Sequence, residues 1–210
     1  MMSINEWSNP DEHVSCDACL EGLGAISSDK YFHAVFPSFI QDLHLQTNSL
    51  ELPTIVVSLK MWGKHFMGKK IVVYCDNEAS VIVLNACFSK DMFMQSCLRD
   101  ICYLAAVHGF EVRARHIVGF ENRAADYLSR WHSNYRNTVN LKSCIEGGNY
   151  REVEVLEEFF MFSHDWQISE LEILELQCKK YVAHAYAVGT YKNIKLQWES
   201  YFLLFFITTS

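Results

Sequence analysis

The stretch at residues 71–81, IVVYCDNEASV, decides the fold class of this chain. Its first five residues are continuously apolar, which is typical of a strand that is covered on both faces in a parallel sheet. Asn77 is a favourable N-cap, so we expect a short helix to follow at once and to run through Leu84. Asp76 stands between the two elements, at the carboxyl end of the strand, where open sheets bind their ligands. The stretch therefore predicts a site residue at Asp76, although an Asp-Asn turn that bonds its own backbone would look the same.

The spacing of apolar residues on either side of this stretch predicts the other elements. We expect further strands at residues 13–19, 24–27, 31–36 and 110–118, and further helices at residues 49–67, 91–108 and 121–131. The first three strands are short and consecutive, so they predict an antiparallel meander. The expected fold class is α/β, an α+β mixed sheet of five strands with flanking helices, followed by a C-terminal helical fragment.

Three more acidic residues lie in different local settings. Asp17 is expected on the first strand, among small neighbours that leave room for a metal ion and a phosphate. Glu51 is expected in the first turn of its helix, where the positive helix end favours a carboxylate, and Pro53 fits only near a helix start. Asp126 lies in the last helix, where an ion pair with Arg130 is the alternative. Asp17 could also be an exposed strand-end acid, and Glu51 could serve helix-start electrostatics alone. Carboxylates that converge from separate elements are what a pair of Mg²⁺ ions requires.

The sequence segments around these acids resemble those of a known family. They are DACLEGLGA at 17–25, LEL at 50–52 before a Trp-containing helix, CDNEASV at 75–81 and HIVGFENRAADYLSR at 116–130. Over residues 13–132 the chain resembles the ribonuclease H domain of retroelement polymerases. The stretches YFHAVFPSF at 31–39 and FMQSCLRDICYLAAVHGFEVRARH at 93–116 resemble retrotransposons of the DIRS type. Polyproteins of that type join a reverse transcriptase, a ribonuclease H and a tyrosine recombinase.

The resemblance implies a ribonuclease H-like fold and metal-assisted hydrolysis of the RNA strand of an RNA–DNA hybrid. The implied catalytic residues, which would also hold two Mg²⁺ ions that Mn²⁺ can replace, are Asp17, Glu51, Asp76 and Asp126. His116 would assist product release or proton movement. The alternative is a histidine at the strand end whose ring only makes local hydrogen bonds. Phe120 departs from relatives that carry a polar or imidazole side chain in this loop. The hybrid would be recognised by its groove shape and its 2′-hydroxyl groups.

Basic residues that could hold nucleic-acid backbones are spread over the same region. They are Lys60, Lys64, Lys69, Lys70, Arg113, Arg115 and Arg123, and each could equally be an ordinary solvated charge. The formal charge of −7 comes mostly from residues 146–175, which hold nine acids and one base. Such a run is typical of a solvated face or a linker. The acidity of the whole chain therefore does not exclude a nucleic-acid enzyme.

Eight cysteines show no repeated spacing, so we expect free thiols and a protein of the cytoplasm or nucleus that is not secreted. Cys16 and Cys19 form the one Cys-x-x-Cys, but on a strand they would point to opposite faces, which disfavours zinc. No apolar run is long enough to cross a bilayer, so no membrane partner is expected. No signal segment opens the chain.

The expected organisation has four parts. Residues 1–12 read as a cut end, 13–132 as the ribonuclease H-like domain, 133–166 as an acidic linker and 167–210 as a helical segment. The words AYAVGTYKNIKLQWESYFLLF in that segment resemble the start of the core-binding domain of tyrosine recombinases, which would bind DNA. A generic amphipathic helical hairpin is the alternative. On this interpretation the polymerase and most of the recombinase of the parent polyprotein are missing.

Two other functions remain open at this point. The chain could be a catalytically idle remnant of a transposon gene that acts as a scaffold or binds nucleic acid. It could also be a DNA-handling adaptor, because residues 176–210 carry a net charge of +3 and include the recombinase-like sequence segment.

Overall fold

Strands β1, β2 and β3 form the antiparallel meander that the sequence predicts, in a computed structural model that describes residues 9–162. Their bounds are Glu12–Ala18, Gly22–Ile26 and Lys30–Val35. Strand β4 (Lys70–Cys75) pairs in parallel with β1, and β5 (Glu111–His116) pairs in parallel with β4. A two-residue strand, β6 (Arg151–Glu152), adds to the free edge of β3, so the sheet has six strands in the order β5-β4-β1-β2-β3-β6. The mixed α/β class is confirmed, and the expected count of five strands is one too low.

Six helices flank the sheet in the described part of the chain. They are α1 (Ser38–Gln41), α2 (Thr47–Trp62), α3 (Glu78–Ala86), α4 (Met92–His108), α5 (Arg123–Ser129) and α6 (Tyr135–Ile145). Asn77 and Asp91 cap α3 and α4 by accepting hydrogen bonds from the backbone N–H groups of Ser80 and Met94. These side chains satisfy donors that a helix start leaves unpaired, so both helices begin close to where the caps predict.

The two faces of the sheet are covered by different helices. Side chains alternate along β1, so that Cys16 contacts Ser58 of α2 whereas Asp17 contacts Ser129 of α5. The main hydrophobic core lies on the α2 side and includes Val14, Val73 and most of the inward face of α4. Helix α2 is buried along nearly its whole length, and α5 lies on the other face.

Helix α2 differs from its prediction at both ends. It begins at Thr47 rather than at residue 49, which places Glu51 in its second turn and Pro53 inside the helix. The first-turn electrostatics that the sequence suggested for Glu51 is therefore wrong, because the carboxylate lies beyond the first four N–H groups. The helix ends at Trp62, and residues 63–68 form turns that lead to Gly68 with a φ of 74°.

The stretch expected to be an acidic linker, residues 133–166, is packed against the domain as far as it is described. Helix α6 contacts α5, and β6 extends the sheet. A 3₁₀ turn (Glu157–Phe160) then crosses to the α2 side, where Phe160 and Phe162 enter the core. The acidic residues stay outside, and the aromatic residues between them provide the apolar contact. The linker was predicted from the Asn, Ser and Gly of residues 133–150 and from the lack of helix or strand periodicity in the acidic run that follows.

Other expectations concern the ends of the chain and its thiols. The seven cysteines within residues 9–162 are free, as expected. No helix of residues 9–162 is both long and apolar enough to span a membrane. The recombinase-like segment at residues 167–210 lies outside the described residues, as do residues 1–8.

Candidate functional site

The sheet brings Asp17 and Asp76 to the same edge. Strands β1 and β4 pair in parallel with Ser15 opposite Tyr74, and this register, carried two residues further, places Asp17 beside Asp76. Asp76 follows β4 directly, at the carboxyl edge of the parallel strands. Asp17 is buried and Asp76 is half-buried. The sequence-based placement of both residues is thus borne out by the strand geometry.

Glu51 reaches the same edge from the core side. It is only 2 % exposed, and its carboxylate bridges the two strands. The backbone N–H of Ala18 donates to Oε1 at 3.3 Å, and the Cys75 thiol donates to Oε2 at 3.6 Å. One ligand atom from each of Glu51, Cys75 and Asp76 lies within 4.8 Å of the others. The carboxylates of Glu51, on helix α2, and of Asp76, at the end of β4, therefore lie close together.

Helix α5 supplies the fourth acid, Asp126, and Gly24 allows this helix to pack closely against β2. A Cβ atom on Gly24 would lie 2.3 Å from Cβ of Leu128, so no larger residue allows this contact with β2. Ser129, on the same helix, donates its hydroxyl to Oδ2 of Asp17. Asp126 is half-exposed, and its Oδ1 accepts a 2.7 Å hydrogen bond from Nε of Arg130. The alternative ion pair is present, yet Asp126 also lies near enough to Asp17 to affect its ionisation.

The carboxylates disfavour one another's ionised forms. Burial, followed by the charges of Asp76 and Asp126, raises the pKa of Asp17 to about 7, although the Ser129 hydroxyl acts in the opposite direction. Burial, followed by the charges of Asp17 and Asp76, raises the pKa of Glu51 well above its ordinary value. The structure therefore gathers acidic groups that hold protons near neutral pH, which is typical of functional sites.

The donor set suits a hard cation better than a soft one. Burial and the charge of Glu51 raise the pKa of the Cys75 thiol, so this sulfur stays protonated and donates to Glu51. A protonated thiol is a poor metal ligand, which leaves carboxylate oxygens as the available donors. Cys16 and Cys19 diverge, as expected, since Cys16 contacts Ser58 and Cys19 donates to the backbone oxygen of Ser129.

The loop after β5 forms one side of the site. His116 is exposed, and its Nε2 lies 3.2 Å from the backbone oxygen of Asp76. A Cβ atom on Gly119 would lie 3.2 Å from Oδ2 of Asp76, so the loop backbone passes close to this acid. Phe120 is 64 % exposed, and the guanidinium of Arg123 lies over its ring, 5.5 Å from the centroid. An aromatic ring and a cation thus stand together at the edge of the acid cluster.

The basic residues singled out from the sequence fall into two groups. Arg115 and Arg123 are exposed and lie near the acid edge, before His116 and after the Gly119 loop. Lys69 and Lys70 lie at the amino end of β4, about 20 Å of extended chain from Asp76. Lys69 is also paired with Glu12 at 2.8 Å. These two lysines therefore lie away from the acid edge, and their contact with a nucleic-acid backbone stays a prediction.

Three more basic candidates are not at the acid edge. Lys60 lies 3.7 Å from Asp100 and donates to the backbone oxygen of Met161 at 2.6 Å, so it is not free for nucleic acid. Lys64 is exposed in the turns that follow α2, and Arg113 is half-buried midway along β5.

Two positioning residues were missed by the sequence reasoning. Ser129 contacts the Asp17 carboxylate, and its place three residues after Asp126, on the same helix face, was the available signal. Asn122 is 1 % exposed and donates from Nδ2 to the backbone oxygen of Cys16 at 2.9 Å. It fixes the start of α5 against β1, one residue before Asp17. Nothing in the local sequence distinguished Asn122 from a surface residue.

Comparison with known proteins adds no assignment to this geometry. No protein-family model, curated protein or solved structure matches the chain.

Proposed function

We propose that this chain is a metal-dependent endoribonuclease of the ribonuclease H type, which cuts the RNA strand of RNA–DNA hybrids. It would act as part of the polyprotein of a DIRS-type retrotransposon. The single observation that carries the proposal is the cluster of Asp17, Glu51 and Asp76, contributed by three elements, in which burial and the neighbouring carboxylates raise the pKa values of Asp17 and Glu51. Asp126 completes the set from α5, and its charge also raises the pKa of Asp17.

The cluster fits divalent cations by its chemistry. Two Mg²⁺ ions, or Mn²⁺ in their place, would be held by Asp17, Glu51, Asp76 and Asp126 through oxygen donors. Bound ions would supply an activated water and would neutralise the charge that develops on the phosphate. Burial of Asp17 and Glu51 beside two more acids costs free energy in the absence of a cation, and a cation that displaces their protons offsets this cost.

The chain's own residues would orient this chemistry. Ala18 N–H and the Cys75 thiol fix the two oxygens of Glu51, and the Ser129 hydroxyl fixes Asp17. Such contacts hold a ligand in one orientation and so reduce the reorganisation needed at the moment of reaction. Arg130 keeps Asp126 on the α5 surface, from which a side-chain rotation would turn it toward Asp17. We assign His116 the release of product or a proton, since it is exposed beside Asp76.

A nucleic acid suits the surroundings of the cluster as a substrate. The exposed cations Arg115 and Arg123 would contact backbone phosphates on either side of the acid edge. The exposed Phe120 ring offers a surface against which a sugar or a base can pack. The RNA–DNA hybrid in particular, and the retrotransposon origin, rest on the sequence resemblance.

Substitution of Asp76 tests the proposal. We expect Asp76→Asn to cut a labelled RNA–DNA hybrid at least ~100-fold more slowly in Mg²⁺, because each ~1.4 kcal/mol of lost transition-state stabilisation costs a factor of ten. Asp42→Asn is the matched control, since it makes the same change at an exposed acid after α1 and should cut like the unsubstituted protein.

Two results would count against the nuclease. Equal cutting by Asp76→Asn and the unsubstituted protein would exclude the acid cluster as the source of the nuclease activity. Failure of the unsubstituted protein to cut, together with hybrid binding in a gel shift, would favour the idle nucleic-acid-binding remnant. Circular dichroism of both variants establishes that any loss is not caused by unfolding.

A further inference from the structure

Strand β1 continues past the point where its pairing with β4 ends. The last register pair of the two strands is Ser15 with Tyr74, whereas β1 itself runs on to Ala18. Backbone groups of β1 beyond this pair need other partners, because a buried N–H or C=O without one is costly. Asp17 lies in this last part of the strand, between Cys16 and Ala18.

Two side chains supply partners where β4 no longer does. Asn122 donates from Nδ2 to the backbone oxygen of Cys16 at 2.9 Å. The backbone N–H of Ala18 donates to Oε1 of Glu51 at 3.3 Å. The residues immediately before and after Asp17 are thus each held by a side chain from another element. One of the two side chains belongs to the acid cluster, and the other, Asn122, carries no charge.

The backbone of Asn122 joins the same point to two further parts of the site. Its N–H donates to the backbone oxygen of Gly119 at 3.1 Å, in the loop that passes close to Asp76. Its C=O accepts a 3.0 Å hydrogen bond from the N–H of Asp126, in the first turn of α5. This one residue, which is 1 % exposed, therefore connects β1, the Gly119 loop and the helix that carries the fourth acid.

The burial of the Asn122 side chain is not explained by stability alone. Its Oδ1 atom is buried and accepts no hydrogen bond from any residue that the structure describes. A buried acceptor without a partner costs free energy that one neutral hydrogen bond from Nδ2 does not fully recover. Costs of this kind are typical of functional sites, where the placement of groups matters more than stability.

We propose that Asn122 is a positioning residue of the acid cluster, which holds Asp17 and Asp126 at the separation that divalent cations require. This role rests on the proposed function, because the ions are those of the nuclease. Asn122 would not contact an ion itself. It acts through β1 and α5, whose relative placement decides whether carboxylates from the two elements can share a cation.

Binding of Mn²⁺ to the full chain, measured by electron paramagnetic resonance, tests the proposal. Asn122→Ala removes the amide and keeps all four acids. We expect its affinity for Mn²⁺ to fall about 10-fold or more, because groups that orient metal ligands typically contribute a factor of about 10–100. Cutting of a labelled hybrid should be slow at low Mg²⁺ and should recover in part as Mg²⁺ is raised, a dependence that a loss of folded protein does not produce.

Asn85→Ala is the matched control. The Asn85 side chain also bonds backbone groups of a strand, the N–H and the C=O of Ala114 at 3.0 and 2.8 Å, but it joins α3 to β5. We expect this variant to lose stability in urea unfolding and to bind Mn²⁺ like the unsubstituted protein. Asn122→Ser keeps a favoured N-cap residue at the start of α5 and shortens the donor, so it replaces Asn122→Ala if circular dichroism shows the latter to be unfolded.

The possible results separate the role of Asn122 from the nuclease. Equal affinity for Mn²⁺ in the unsubstituted protein and in the folded Asn122 variant overturns the positioning role and leaves the nuclease standing. An equal loss of affinity in Asn85→Ala also overturns it, because any loosening of the fold would then weaken the ions. Failure of the unsubstituted protein to bind Mn²⁺ overturns both proposals.

Discussion

Helix α2 carries two buried charged side chains in opposite surroundings. Glu51 lies among carboxylates, so that the charges of Asp17 and Asp76 both oppose its ionisation. Lys60, more than two turns later, lies 3.7 Å from Asp100, and the two opposite charges favour each other. The Lys60 ammonium also binds backbone oxygens of the segment that closes the core. Lys60 is thus neutralised by Asp100 within the protein, whereas Glu51 lacks a positive partner among the residues around it that the structure describes and holds its proton unless a cation binds.

This difference separates a structural charge from a candidate functional one. A buried ion pair holds elements together without needing a ligand, although its net stabilisation is small after desolvation. A buried group of acids costs stability in the metal-free protein. Substitution of Lys60 and substitution of an acid beside Glu51 should therefore act in opposite directions on the free energy of unfolding.

The largest change in stability is expected for Lys60→Met. This substitution removes the Lys60 cation from Asp100, which is 3 % exposed, and it removes the contacts with the backbone oxygens of Phe159 and Met161. We expect a loss of about 3 kcal/mol in urea unfolding, because removal of one member of a buried ion pair is costly. Lys60→Met/Asp100→Leu should recover most of this loss. A single variant as stable as the unsubstituted protein would contradict the structural role of the pair.

A smaller effect, of opposite sign, is expected for Asp17→Asn. In the folded protein the pKa of Asp17 is raised to about 7, so the folded state holds this proton more tightly than the unfolded chain does. The free energy of unfolding of the metal-free protein should therefore fall as the pH rises from about 4 to about 7. The amide of Asn does not ionise and avoids this loss.

Thermal unfolding at two pH values measures the effect. With EDTA at pH 8, we expect Asp17→Asn to be more stable than the unsubstituted protein by about 2 kcal/mol. At pH 4 the difference should vanish. Addition of Mg²⁺ at pH 8 should stabilise the unsubstituted protein and leave the variant unchanged. Destabilisation of Asp17→Asn at pH 8 would show that Asp17 is a structural acid like Asp100.

The smallest effect is expected for Arg130→Ala. The pair with Asp126 is formed within one helix turn, and the two side chains are 52 % and 37 % exposed. Exposed pairs of this kind contribute about 0.3–0.5 kcal/mol, so urea unfolding should change by no more than that. A loss above about 1 kcal/mol would instead show that Arg130 neutralises the acid cluster. Lys142→Ala on α6 is a control for removal of a helical surface cation.

The sequence predicted the fold best where the spacing of apolar residues and a local capping or turn residue indicate the same element. The strand at β4, the cap Asn77, and the positions of Asp17 on a strand and of Asp76 at the end of a buried strand all follow from short-range patterns. The contact of Lys60 with Asp100 and the contact of Ser129 with Asp17 do not, since each joins residues far apart in the chain. Only the packed fold decides which of many polar residues meet.

The same limit explains the errors at the ends of elements. Helix α2 continues past Pro53, because burial of its apolar residues outweighs the backbone hydrogen bond that proline cannot make. The segment after residue 132 was expected to be a linker because residues 133–150 are rich in Asn, Ser and Gly and because the acidic, aromatic run at residues 153–162 has no clear period. Its burial depends on contacts with Phe36, Lys60 and Phe93, which lie far away in the chain.

The short strand β6 and the 3₁₀ turn have a consequence for truncated forms of the protein. Arg151 and Val153 donate backbone hydrogen bonds to Asp29 and Tyr31, and so cover the outer edge of β3. Phe160 contacts Phe36, and Phe162 contacts Phe93. A chain that stopped at residue 132 would expose both an unpaired strand edge and an aromatic groove, the two features that promote self-association. The smallest unit of this fold that resists self-association should therefore extend to residue 162.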